Sequence, residues 1–228
     1  MTPPLPAGAA NKTKSVRSSR SKRASILTEA TELFGRTGYD DAKWADVATA
    51  VGIGSTALYH YFESKQHCLY VIMADALEDT RTQYEQAMRA ATDYRTGLVD
   101  ALWSGFDHDD FGVLRLRVLV SKQELVGVPR NSPREEEARQ MARERTRDLE
   151  LTWATFLVRG MEQGIIPEAE SQMLARAVLG LNTSVWHWYR RGGTVGLNDV
   201  ADFFVRRQLA MIGLPMELVD EIRGGQDR

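Results

Sequence analysis

Hydroxyl, aromatic and imidazole side chains crowd one short predicted helix that follows a glycine turn. Leu58 and Phe62 lie one helical turn apart and predict its buried face, so the other side chains point away from the core or along its rim. Together with the helices before it, residues 23–65 predict a helix-turn-helix, a unit that places one short helix in the DNA major groove. The polar and aromatic side chains of that helix are Ser55, Thr56, Tyr59, His60 and Tyr61.

Helices must position that segment, because alternating β-branched runs closed by hairpin turns are absent from the sequence. The spacing of Ile26, Ala30 and Phe34 predicts a first helix over about 21–37, and Gly38 can end it in a left-handed cap. The sequence therefore predicts an all-α chain of about nine helices. A short third helix is predicted to be capped by Ser55 or Thr56 and to run through His60 or Phe62. The other predicted helices span about 44–51, 64–92, 94–107, 112–126, 133–163, 169–191 and 197–213.

Charge is unevenly distributed along the chain, although the net charge is only −2. Residues 11–23 contain six Lys or Arg and no acid, so the rest of the chain carries 23 basic and 31 acidic residues. A basic arm on an acidic body indicates contact with a polyanion such as nucleic acid. A solvated, disordered tail is the alternative, because residues 1–20 are rich in Pro, Ala, Gly, Ser and basic residues.

Several classes of protein are disfavoured by the composition. No run of 18 apolar residues predicts a membrane span, and the first 20 residues lack the apolar stretch of a secretory signal. The single cysteine, Cys68, allows no intramolecular disulfide and is typical of a reducing cytoplasm. The acidic run 107–110 is interpreted as a solvated turn rather than a metal site, and no phosphate loop or catalytic triad is present. No cofactor and no catalytic residue is therefore predicted.

The motifs of residues 23–65 carry a specific resemblance. They read LFGRTGY at 33–39, DVATAVGIGSTALYHYF at 46–62, and Ser64-Lys65 at the start of the fourth helix. The chain resembles the TetR family of transcriptional regulators. The resemblance implies four segments: a basic arm (1–20), a three-helix DNA-binding domain (21–66), a larger helical ligand-binding and dimerisation domain (67–214) and a C-terminal tail (215–228).

Roles for individual residues follow from that resemblance. Ser55 and Thr56 would lie beside phosphates or base edges, Tyr59 and His60 would face the groove, and Tyr61 and Lys65 would hold phosphates. A neutral imidazole suits a base edge because it offers one donor and one acceptor. The arm residues expected to reach an adjacent groove or phosphate are Arg17, Arg20 and Arg23.

The start of the second helix departs from the family pattern. The family usually carries Ser or Thr there, whereas this chain has Lys43 and Trp44. Lys43 can still meet a phosphate. Trp44 cannot cap the helix as Thr would, so its indole N–H either donates to a phosphate or the ring packs on the first helix.

The last two predicted helices, about 169–213, carry apolar stripes that fit a four-helix bundle with a second copy of the chain. Packing within one monomer is the alternative. A homodimer would present two recognition helices to a palindromic operator.

A second, less specific resemblance lies in the motif W-x-W-Y-R-x-G-G at 186–193, which is similar to members that sense acyl-CoA, other lipids or steroid catabolites. Trp186 and Arg190, four apart, would lie on one helical face and suit an acyl chain next to an anionic group. The alternative is a Trp in the dimer core and a surface Arg at the helix end. Further candidates for an apolar cavity, or for plain core, are Trp103, Phe106, Leu119, Trp153, Phe156 and Met161.

The sequence thus predicts a homodimeric DNA-binding regulator, a repressor released from its operator by a small apolar or acyl-CoA-like effector. The fourth helix, shared by both domains, would transmit effector binding to the recognition helices. An activator, a ligand-binding protein with vestigial DNA binding, and an all-α enzyme are the alternatives.

Overall fold

A computed structural model describes the backbone of residues 8–224 and the side chains of residues 20–224. The described chain is all-helical, as predicted, with ten α-helices and a single 3-10 turn at Gln123–Gly127. The helices are α1 (Gly8–Thr37), α2 (Trp44–Val51), α3 (Ser55–Tyr61), α4 (Lys65–Ala90), α5 (Tyr94–Ser104), α6 (Asp110–Ser121), α7 (Pro133–Glu162), α8 (Ser171–Trp188), α9 (Leu197–Ile212) and α10 (Leu218–Arg223).

The basic arm is more regular than predicted. Helix α1 begins at Gly8 rather than near residue 21, so residues 8–20, expected to be disordered, continue the helix backwards. No proline follows Pro6 in this stretch, and extending an existing helix adds one hydrogen bond per residue without a new nucleation step. Composition alone therefore misplaced the start of α1.

Helices α1, α2 and α3 contribute buried apolar side chains to a hydrophobic core that continues into the larger half of the molecule. Ile26 and Phe34 of α1 are buried against Val47 of α2 and Leu58 of α3. Gly52 ends α2 with φ 70°, a left-handed conformation that glycine adopts without a Cβ penalty. A short turn then leads into α3, as predicted for a helix-turn-helix.

Helix α4 is common to both halves of the molecule. The Ser64 side chain caps it by accepting a hydrogen bond from the His67 backbone N–H at 2.9 Å. Its apolar face packs on α1, α5, α6 and α7, and Tyr84 near its far end packs edge-to-face on Trp153 of α7, with ring centroids 5.1 Å apart. Helix α4 is therefore in contact both with the first helix and with the helices of the larger half.

Part of the C-terminal tail forms helix α10, which was not predicted from the sequence. Leu218 and Val219 of α10 are buried against the larger domain. Arg206 of α9 bridges to Asp220 at 2.6 Å, and the guanidinium of Arg223 lies 4.2 Å from the centroid of the Trp103 ring. A six-residue helix is too short for periodicity to reveal it.

Close packing of α1 on α6 yields a stability prediction. A Cβ on Gly35 would lie 2.8 Å from the Leu114 Cβ and 3.0 Å from the Leu114 carbonyl oxygen, so Gly35→Ala must push the two helices apart. We expect the free energy of unfolding to fall by about 1–3 kcal/mol. Gly127→Ala is the control, because its Cβ would meet open space. Equal melting of the two variants in thermal unfolding would refute the tight α1–α6 contact.

Candidate nucleic-acid interface and effector cavity

The exposed face of α3 carries the predicted recognition side chains. Tyr59 is 52% exposed, and Ser55, Thr56 and His60 are also exposed, whereas Leu58 is fully buried. Tyr61 is half-buried at the rim. The first turn of α3 leaves backbone N–H groups free at its amino end, next to the two hydroxyls, which suits a phosphate oxygen. The face therefore offers donors to the DNA backbone and an imidazole to a base edge.

A cavity of about 820 Å³ lies in the larger domain, between α4, α6, α7 and α8. Buried apolar side chains form part of its wall: Met73 and Leu77 of α4, and Leu116 and Leu119 of α6. His108 and the Trp186 ring, 5.5 Å apart, lie in the same wall, and burial lowers the pKa of His108, which favours a neutral imidazole. A cavity of this size and lining suits a small, largely apolar ligand.

Arginine side chains lie at the exposed edge of this cavity. Arg143 and Arg147, four residues apart on α7, line it without a carboxylate partner among the described residues. Arg176 of α8 lines the same edge and pairs with Glu150 at 3.1 Å. The sequence did not predict that two of the charged side chains of α7 border a cavity. An apolar interior with an arginine rim matches a ligand that has an apolar body and an anionic end.

Comparison with known proteins decides the family. Residues 26–70 match the family model for bacterial regulatory proteins of the tetR family, and residues 113–212 match a model for a tetracyclin repressor-like C-terminal domain. The chain belongs to the TetR family. The first match spans the helix-turn-helix, and the second spans most of the cavity-bearing domain.

Other TetR-family proteins resemble this one over most of its length. The chain is 27% identical over 183 residues to the HTH-type transcriptional repressor KstR2 of Rhodococcus jostii. The aligned region covers 79% of this chain and 85% of that protein. It superposes on the TetR-family regulator PfmR from Thermus thermophilus with a TM-score of 0.66 and 27% identity, covering 81% of this chain and 97% of that one. It shares the fold of AibR, solved in complex with isovaleryl coenzyme A and operator DNA, at a TM-score of 0.67 and 17% identity, covering 82% and 97%.

Lys65 does not point freely into solvent in this TetR-family protein. Its Nζ donates to the backbone carbonyl of Tyr39 and lies 4.3 Å from the centroid of the Tyr39 ring. Desolvation lowers its pKa despite the nearby carboxylates of Asp40 and Asp41. Lys65 therefore fastens the α1–α2 loop to α4, and its contact with a phosphate remains a prediction.

Trp44, at the start of α2, is packed in the interior, but the ring contact observed is with Phe62 rather than with the first helix that the sequence suggested. Trp44 is buried, with its ring edge-to-face on Phe62 at 6.4 Å, and its Nε1 has no hydrogen-bond partner among the described residues. Its indole N–H is thus turned away from solvent, where a phosphate would lie. Lys43, just before it, is exposed and stays available to DNA.

The arm residues divide by position. Arg20 and Arg23 are exposed on α1, and the Arg23 guanidinium lies 5.0 Å from the centroid of the Phe62 ring. Arg17 falls outside the residues whose side chains are described. Lys22, which sequence reasoning did not single out, donates from Nζ to the Val51 carbonyl at 3.3 Å and places a cation at the carboxyl end of α2.

Only Leu119 and Trp186 of the eight predicted ligand residues line the large cavity. Arg190 does not share a helical face with Trp186, because α8 ends at Trp188; its guanidinium is exposed and donates to the Tyr189 carbonyl at 2.8 Å. The other five are core or half-buried side chains away from the lining: Trp103, Phe106, Trp153, Phe156 and Met161.

A polar junction joins the larger domain to the recognition unit. At the start of α7, the Ser132 side chain hydrogen-bonds to Glu63, and Arg134 donates to the Tyr61 carbonyl at 3.2 Å. Glu135 accepts a hydrogen bond from the Ser64 hydroxyl. Since α7 also forms a wall of the cavity, it provides a second connection, besides α4, between the cavity and α3.

The exposed imidazole of His60 leads to a prediction about specificity. We expect His60→Ala to change base preference at one position of each half-site, because a good base contact contributes about 1–3 kcal/mol of discrimination. Selection from a randomised operator library would measure it. Lys43→Ala is the control, since loss of a phosphate contact should weaken all sequences alike. Unchanged affinity and unchanged preference in His60→Ala would remove the base-reading role.

Within the described residues, no helix carries an apolar stretch long enough to span a bilayer, and no three His, Cys, Asp or Glu side chains come together as metal ligands would.

Proposed function

We propose that this TetR-family protein is a ligand-responsive repressor that binds a palindromic operator as a homodimer in the cytoplasm and carries no catalytic activity. The observation that carries the proposal is that α4 runs from the DNA-binding unit to the cavity. Its first residue, Lys65, holds the α1–α2 loop of the DNA-binding unit, and Met73, Leu77 and Tyr84 further along it line the cavity. A ligand in the cavity therefore contacts the helix that supports the recognition unit.

Dimerisation is supported by large apolar side chains that are exposed on α8 and α9, two helices in contact with each other. Met173 and Trp188 on α8 are 63% and 51% exposed, and Ala177 between them is exposed on the same face. Phe203 on α9 is 54% exposed. Large apolar side chains clustered on two adjacent helices favour burial against a partner, and a two-fold axis would pair this face with its own copy.

The effector class follows from the cavity. Its apolar walls accept an acyl chain or ring system, and Arg143, Arg147 and Arg176 at the edge suit phosphates or a carboxylate. The related protein AibR was solved with isovaleryl coenzyme A and operator DNA, and the related KstR2 is a transcriptional repressor. We propose an acyl-CoA-like thioester as the effector.

The mechanism is a shift between two arrangements of the dimer. An effector that fits the cavity better when α4 and the start of α7 are displaced would change the separation of the two α3 helices. The ligand must bind one arrangement more tightly than the other, since equal affinity would shift nothing. The junction of Ser132, Arg134 and Glu135 with residues 61–64 would carry part of that displacement.

The test of this function is a gel shift with DNA from immediately upstream of the protein's own gene, at about 150 mM salt and with competitor DNA. A discrete, competitor-resistant complex that decanoyl-CoA dissolves is the expected result. A complex strengthened by decanoyl-CoA would indicate an activator or co-repressed regulator. If genome-wide selected fragments gave only weak, salt-labile binding with and without thioester, the repressor function would be abandoned for that of a ligand-binding protein.

A further inference from the structure

A chain of buried hydrogen bonds crosses the larger domain from α9 to α4, and its direction can be deduced. It begins at Gln208 of α9, which is fully buried and whose Nε2 lies 3.0 Å from the Val178 carbonyl oxygen. A carbonyl can only accept, so the Gln208 group that faces it must be the amide nitrogen. Turning the amide over would bring two acceptor oxygens together.

The same nitrogen orients the next side chain. Gln208 Nε2 also donates to Asn182 Oδ1 at 2.8 Å, which requires the oxygen of Asn182 on that side and its nitrogen on the other. Asn182 Nδ2 then donates to Tyr84 Oη at 2.7 Å. The Val178 carbonyl oxygen therefore fixes the orientation of both side-chain amides, that of Gln208 and that of Asn182.

The Tyr84 hydroxyl is the last group in this series of hydrogen bonds, and its hydrogen is not donated to another described residue. Its oxygen accepts from Asn182, and the hydroxyl hydrogen finds no acceptor among the described residues. Tyr84 is 2% exposed, and burial raises the pKa of Tyr84 to about 12, so the hydroxyl stays protonated near neutral pH. A buried donor without an acceptor is energetically unfavourable, and a suitably placed acceptor removes that cost.

That hydroxyl lies at the wall of the large cavity. Tyr84 and Asn182 both line it, together with Gly105. A Cβ on Gly105 would lie 2.6 Å from Tyr84 Oη and 2.6 Å from Asn182 Nδ2, so the absence of a side chain there leaves room for both polar groups. Leu77 and Leu116 line other parts of the cavity, so a ligand that entered it would meet the Tyr84 hydroxyl as well as apolar surface. Other hydroxyl side chains also line the cavity: Thr80, Thr146, Thr183 and Ser184.

We infer that Tyr84 donates its hydroxyl hydrogen to a carbonyl oxygen of the effector, and that Asn182 and Gln208 hold it in that role. The inference rests on the proposed effector-binding function of this cavity. Tyr84 is then a specificity residue: it selects ligands that place a carbonyl beside Gly105 and discriminates against the same carbon skeleton without one. In an acyl-CoA the acceptor would be the thioester oxygen.

Another hydroxyl in the cavity provides a matched control. Thr146 of α7 also lines the cavity, but its Oγ1 already donates to the Ala142 carbonyl at 3.0 Å. Thr146→Val removes a hydroxyl that lines the same cavity from a more exposed position, and whose hydrogen is already donated to the Ala142 carbonyl. It should leave the preference for a carbonyl unchanged, whereas Tyr84→Phe should remove it.

The experiment measures binding of acetophenone and ethylbenzene, which differ only in a carbonyl replaced by a methylene, by ligand-observed NMR titration of the full chain. We expect the wild type and Thr146→Val to prefer acetophenone by about tenfold, and Tyr84→Phe to bind both alike. A second variant, Asn182→Asp, keeps the phenol but supplies a carboxylate that accepts from Tyr84, and it should also lose the preference. Comparing two ligands on each variant cancels general damage to the cavity.

Retention of the preference by Tyr84→Phe, or equal or absent binding of both compounds to the wild type, would overturn the role of Tyr84. Failure of the proposed function is a separate result: decanoyl-CoA would then not release the operator in the gel shift. That assay can fail while the carbonyl preference holds, and the carbonyl preference can fail while decanoyl-CoA still releases DNA.

Discussion

Ala177→Glu is expected to convert the protein to a monomer and to weaken operator binding by about 10²–10⁴-fold, because two linked half-site contacts become one. Ala177 lies on the exposed face of α8 between Met173 and Trp188. Its small side chain allows a second α8 to approach closely. A glutamate there adds bulk and an unpaired carboxylate, which is costly to bury at an interface. No arginine or lysine lies one turn away on α8 to neutralise it.

Sedimentation velocity and operator gel shifts on the same preparations would measure both effects. Leu151→Glu is the control, since Leu151 is 62% exposed on α7, outside the proposed dimer face. The control should stay dimeric and bind DNA normally. A dimeric Ala177→Glu protein with undiminished operator affinity would show that the two copies associate through another surface.

The paired variant Arg143→Gln with Arg147→Gln is expected to raise the concentration of decanoyl-CoA needed for half-release by about a hundredfold, while operator affinity in its absence stays unchanged. Each arginine would lose a charge-assisted hydrogen bond to the anionic end of the effector, and such bonds contribute about 1.5–3 kcal/mol. Both side chains border the cavity on one face of α7. Neither is close to α3, so DNA affinity should not change.

A fluorescence-polarisation release assay on labelled operator would measure the shift. The paired control is Arg95→Gln with Arg159→Gln, which removes the same charge from α5 and α7 at residues outside the cavity lining. Equal response of both paired variants would mean that the arginine rim does not contact the effector.

The DNA-binding unit was predictable because its determinants are local. Leu58 and Phe62 lie one turn apart, and Gly52 supplies a left-handed cap that few other residues adopt. Predicted and observed bounds of α2 are the same. Helix α3 ends at Tyr61, within the predicted range, but its N-cap is Gly54 rather than Ser55 or Thr56. Short-range rules of capping and periodicity suffice when an element is fixed by its own sequence.

The effector cavity was not predictable in the same way. Tyr84, Asn182 and Gln208 are separated by 98 and 26 residues along the chain, and only the packing of α4, α8 and α9 brings them together. In the sequence, Arg143 and Arg147 resemble ordinary surface charges. Only the packing of α8 on α7 places them at the edge of the cavity. Aromatic content pointed instead to Trp153 and Phe156, which are core because bulky rings fill interiors more often than they line cavities.

The linkage between cavity and DNA is the central claim, and its most direct measurement is the affinity of decanoyl-CoA for the free dimer and for the operator-bound dimer by isothermal titration calorimetry. Coupling must be reciprocal: the factor by which the thioester weakens operator binding equals the factor by which operator weakens thioester binding. We predict that operator lowers thioester affinity by the factor found in the release assay. Equal thioester affinity with and without operator would contradict the account, because a ligand that does not distinguish the two states cannot control DNA binding.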